Sequence, residues 1–65
     1  MLEPNLDLIR VRRVALGMSR RKLAQAANVG EAVIWRLERA SSLPSPDALY
    51  RIMHALGLTP TILSR

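Results

Sequence analysis

The sequence has no cysteine and a single histidine, so disulfides and thiolate metal sites are excluded, and His54 with a few scattered carboxylates cannot build a zinc site. It also lacks an uncharged run long enough to span a bilayer, and no segment alternates apolar and polar residues as a half-buried strand does. No acid-base or nucleophile constellation can be assembled. The expectation is therefore a non-enzymatic chain with no metal, cofactor, small-molecule substrate or membrane partner. Glu3, Pro4, Asn5 and Asp7 interrupt the start, so no signal peptide is visible and a cytoplasmic, reducing home is expected.

What the chain does have is a hydrophobic content of 49%, far above that of a disordered tail. Its 65 residues suffice for one small domain, which buries roughly 60% of the surface its unfolded chain exposes. A deep catalytic cleft does not fit in so short a chain. Without disulfide or metal, tight helix packing or dimerisation must supply the stability.

The net charge of +5 is unevenly placed. Residues 1–9 carry only Glu3 and Asp7, whereas residues 10–22 carry Arg10, Arg12, Arg13, Arg20, Arg21 and Lys22 without an acid. A cluster of this kind points to a polyanion, either nucleic acid or an anionic surface, with an ordinary solvated basic face as the alternative.

Helix punctuation divides the chain, and the fold class is all-α. Asn5 is a candidate N-cap, after which Leu6, Ile9, Arg13 and Leu16 recur at helical spacing until Gly17. Ser19 caps a second helix with Leu23, Ala24 and Ala27 inward, and Asn28 can take the left-handed conformation of a tight turn, Ala27 to Gly30. A third helix runs from about Glu31 to Arg39 or Ala40, with Ile34 and Leu37 on its buried side and Glu38 close by. Ser45, Pro46 and Asp47 then signal a fourth helix with Leu49, Ile52, Met53 and Leu56 on its apolar face and Gly57 as its stop. The ending, residues 59–65, suits either a short strand or one helical turn. There is no internal repeat or linker.

Two short helices joined by a turn of about four residues, in a small basic all-α domain, suggest a helix-turn-helix. Gly17-Met18-Ser19 through Leu23-Ala24, Asn28-Val29, Ile34, Leu37-Glu38 and Pro44-Ser45, followed by Leu49, Ile52 and Ala55-Leu56-Gly57-Leu58, resemble the lambda-repressor/Cro-type (XRE) family over about residues 6–63. The resemblance implies a compact four- to five-helix bundle forming a single domain over residues 1–65, with a positioning helix at about 19–26 and a recognition helix at about 31–39. It further implies a transcriptional regulator of repressor type, which binds double-stranded operator DNA as a homodimer. Antitoxins with a cognate toxin partner use the same domain, and the similar endings of some of them pair as a strand between subunits.

Cations in the first turn of a helix oppose its dipole, at about 0.3–1 kcal/mol each, unless an anion sits there. Arg20 also matches a position where the family commonly holds a phosphate-contacting glutamine. Arg20 is therefore assigned to the DNA backbone, with Arg21 and Lys22 assisting and Arg10 extending the track. Arg13 matches the arginine that many relatives pair with a glutamate at the position of Glu38, which implies a structural ion pair. Base reading falls to Gly30, Glu31, Ala32 and Val33 at the recognition-helix start, and above all to Arg36, whose guanidinium can bind guanine O6 and N7 together. Glu31 has an alternative role as a favourable first-turn acid. Gly30, Ala32 and Val33 stand where polar readers are common in the family, and Arg39-Ala40 where many relatives have Asn-Gly. Arg39 is either a phosphate contact or a solvated helix end. Trp35 is expected on a flank, packed against the domain or touching a partner or the DNA backbone, and Tyr50 with His54 forms a surface pair.

Overall fold

The structure, a computed structural model, describes residues 6–58, and it contains four helices. These are α1 (Leu6–Ala15), α2 (Arg20–Ala27), α3 (Glu31–Glu38) and α4 (Pro46–Ala55). The all-α expectation holds. The Asn5 cap and the two readings of residues 59–65 lie outside the described residues. Among the described residues no helix is long and apolar enough to cross a membrane.

Local chemistry starts two of the helices. The Ser19 Oγ accepts a hydrogen bond from the Lys22 amide at 3.0 Å, and the Ser45 Oγ accepts from Ala48 at 3.2 Å with Pro46 at the first helical position. α3 starts at Gly30, which has no side chain to cap it.

All four helices end the same way. A residue with positive φ follows each helix (Gly17, Asn28, Ala40 and Gly57), and the amide after it donates to the carbonyl five residues back. These bonds are Met18 to Arg13, Val29 to Ala24, Ser41 to Arg36 and Leu58 to Met53, between 2.9 and 3.0 Å. The pattern is the Schellman motif, in which a left-handed residue lets orphan carbonyls be satisfied and an apolar neighbour pack back on the helix. Met18, Val29 and Leu58 do pack against the core. α3 departs on both counts, with Ala40 held at φ 56° and Ser41 where the other three carry an apolar residue.

The core is formed by Ile9 of α1, Leu23, Ala24 and Ala27 of α2, Ile34 and Leu37 of α3, and Ile52, Met53 and Leu56 at the α4 end. α2 packs on both α3 and α4, and its small Ala24 and Ala27 let the helices approach closely, while α1 packs on α3. Leu49 is half-buried against this core, and Ala48, which the apolar face read from sequence left out, is buried. Leu16 is a correction: it is 46% exposed, because α1 ends at Ala15 and left-handed Gly17 turns the chain so that Met18 takes the inward place.

A left-handed residue with a Cβ costs about 1–2 kcal/mol, part of which glycine returns through its larger unfolded-state entropy. Ala40→Gly should therefore stabilise the domain by about 1 kcal/mol, raising the midpoint of thermal unfolding by about 4–8 °C. Unchanged or lowered stability in a thermal melt would show that Ala40 carries no strain.

Candidate nucleic-acid interface

The ends of α2 and α3 meet through charge. Glu38, the last residue of α3, has a side chain only 3% exposed and receives two arginines. Arg13 of α1 donates from Nε at 2.6 Å and from Nη2 at 3.2 Å, while its Nη1 donates to the Met18 carbonyl at 2.8 Å. Arg20, the first residue of α2, donates from Nε at 2.9 Å to Glu38 Oε1, the oxygen that also accepts from Arg13 Nη2. The Arg20 guanidinium also lies over the Trp35 ring, 3.9 Å from its centroid. Three helices thus converge on one carboxylate, which the fork-shaped geometry of arginine allows and a lysine would not.

Two further arginines serve helix ends. Arg12 donates from Nε to the Leu56 carbonyl at 2.9 Å at the end of α4, and Arg51 donates to the Ala27 carbonyl at 3.1 Å at the end of α2 while pairing with Asp47 one turn away. Cations there satisfy orphan carbonyls and suit the negative end of the helix dipole. Sequence reasoning missed both contacts. The available signal was an arginine within reach of a helix C-terminus, but spans of 44 and 24 residues leave no local pattern.

The basic cluster of residues 10–22 therefore divides. Arg12, Arg13 and Arg20 make internal side-chain contacts, whereas the side chains of Arg10, Arg21 and Lys22 are exposed and make no hydrogen bond to a described residue. Arg20, which the sequence assigned to the DNA backbone, is also engaged within the domain: Glu38 takes its Nε, and its guanidinium lies over the Trp35 ring. Its terminal nitrogens make no hydrogen bond to a described residue.

The outward side of α3 carries Ala32, Trp35 and Arg36, continued by Arg39 at its C-cap, all exposed, with Glu31 beside them. Gly30 is exposed as well, and a Cβ added to it would meet nothing within 4 Å. Val33, expected among the base readers, is half-buried and packs against the core, since it neighbours Ile34 and lies four residues before Leu37 on the inward side. Trp35 is 43% exposed, packed on one face and open on the other.

A second helix placed across a three-residue turn, Asn28 to Gly30, with its outer stripe free, is the layout of a helix-turn-helix. Comparison with known families matches residues 7–64 to the helix-turn-helix domain. The chain belongs to that family. This makes it a DNA-binding domain. No curated protein matches the chain.

Within this helix-turn-helix domain, Glu38 should matter far more for folding than the surface cations. Removing one partner of a buried pair strands the other charge, at about 3–5 kcal/mol. Glu38→Ala should cost that much in urea unfolding, enough to leave so small a domain partly unfolded, whereas Arg20→Ala, with its side chain 34% exposed, should cost less than about 1 kcal/mol. Equal losses for the two variants would mean that Arg13 does not depend on Glu38.

Proposed function

We propose that this chain is a sequence-specific transcriptional regulator of repressor type, which binds operator DNA as a homodimer with α3 in the major groove. The observation that carries the reading is the division of α3: Ile34 and Leu37 are buried while Glu31, Ala32, Arg36 and Arg39 stay exposed. A helix with this one free stripe fits the major groove, whose width admits an α-helix.

Within that stripe, Arg36 is the principal reader, binding guanine through two donors, and Glu31 accepts from the cytosine amino group. Ala32 touches a thymine methyl, and the open Gly30 lets the helix start approach the base edges closely. Arg21, Lys22, Arg39 and Arg10 contact phosphates, which set the register and orientation of the domain on the duplex. So short a set of readers gives limited discrimination per half-site. A two-fold dimer doubles it on half-sites about 34–36 Å apart, and DNA deformability contributes the remainder. A role as an antitoxin keeps this same DNA face and adds a toxin surface elsewhere; the exposed cations speak for the DNA contact common to both.

Two measurements test the reading. Several phosphate contacts require affinity for duplex DNA to fall steeply between about 50 and 200 mM salt, by ten-fold or more, and a flat salt response would rule the clamp out. Arg36→Ala should relax preference at one base position, at a cost of about 1–3 kcal/mol on the preferred sequence, as read by binding to single-base operator variants. Uniform weakening on all sequences would move Arg36 to the phosphate contacts.

A further inference from the structure

We propose that Trp35 is a positioning residue that, together with Glu38, holds Arg20 as a preset fork for one DNA phosphate. This rests on the DNA-binding reading above and names a device within it.

The geometry constrains Arg20 twice. Its Nε edge is fixed on Glu38 at 2.9 Å, and its plane is fixed by the Trp35 ring at 3.9 Å. Glu38 cannot swing away with it, because Arg13 holds both carboxylate oxygens and is itself anchored on the Met18 carbonyl. Stacking engages the face of a guanidinium and leaves the edge donors available. Of the five N–H donors of Arg20, the four on Nη1 and Nη2 make no hydrogen bond to a described residue, and the side chain remains 34% exposed. Charge points the same way. One carboxylate faces two guanidiniums, so the cluster retains a positive charge that a phosphodiester monoanion neutralises. Such an anion fits the fork through two parallel N–H bonds. Holding the side chain beforehand removes the ordering cost that a freely rotating arginine meets on binding.

The indole thus has a task distinct from packing or base reading. Trp35 lies on the same outward side of α3 as Arg36, so the fork set by the recognition helix and the base-reading arginine keep a constant relation to one another.

The test uses the full chain and a labelled mixed-sequence duplex of about 20 base pairs, two helical turns, titrated by anisotropy across a sodium chloride series. Wild type should show a steep linear dependence of log K on log salt. Arg20→Ala should reduce that slope by about 0.9, the loss of one phosphate contact. Trp35→Leu keeps apolar bulk without a π face and should reduce the slope by the same amount. Trp35→Phe should restore it, and Arg20→Ala combined with Trp35→Leu should reduce it no further than either alone. Far-UV circular dichroism confirms that each variant is folded, and Trp35→Gln offers a second replacement if the leucine variant is not. An unchanged slope in folded Trp35→Leu, or losses that add in the double variant, overturns the positioning role while leaving DNA binding in place. A wild-type chain that shows no salt-dependent duplex binding overturns the DNA reading and this inference together.

Discussion

The arrangement of the three N-terminal helices depends on one buried carboxylate. Glu38 lies where α3 ends, and the arginines that reach it come from α1 and from the first position of α2. A buried charge is costly unless it is paired and fully hydrogen-bonded, and its directional demands are stricter than those of apolar contacts. Apolar packing among Ile9, Leu23, Ile34 and Leu37 brings the helices together, but it tolerates small rotations. The bonds to Glu38 fix the angle at which the outward stripe of α3 is presented.

The positive charge of the chain consequently has two uses. Arg12 and Arg51 satisfy carbonyls at helix C-termini, at Leu56 and Ala27, and Arg13 holds Glu38 and the Met18 carbonyl in the connection between α1 and α2. In so small a domain helix termini form a large fraction of the backbone, and each leaves orphan carbonyls to be satisfied. Long arginine side chains cover these from a distance while their stems lie on the surface. Arg10, Arg21, Lys22, Arg36 and Arg39 stay exposed, and the proposed DNA contact rests on them. Arg20 is held by Glu38 and lies over Trp35, while its terminal nitrogens make no hydrogen bond to a described residue.

Much of the secondary structure was legible because its signals are local. Ser19 and Ser45 as caps, Pro46 at a helix start, and Asn28, Gly17 and Gly57 as left-handed ends each depend on the conformational preference of one residue within a few positions. The inward faces of α2 and α4 followed from helical spacing. Leu16 was misplaced, and the packing of Val33 was missed, for the opposite reason. Spacing cannot tell where a helix unwinds, nor how far around its axis the neighbouring helices reach.

By itself the sequence determined the succession of helices and most of their starts, the place of the turn between α2 and α3, most of the core and the excess of basic charge, because these follow from propensity, capping and periodicity along a few turns. Only the tertiary structure decided the allegiance of each arginine. Arg12 and Arg51 reach carbonyls far along the chain, and Arg20 turns to Glu38 and Trp35. An arginine carries the same charge and the same donors wherever it stands, so its partner is set by which carbonyl, carboxylate or ring the folded chain brings within hydrogen-bonding or stacking distance.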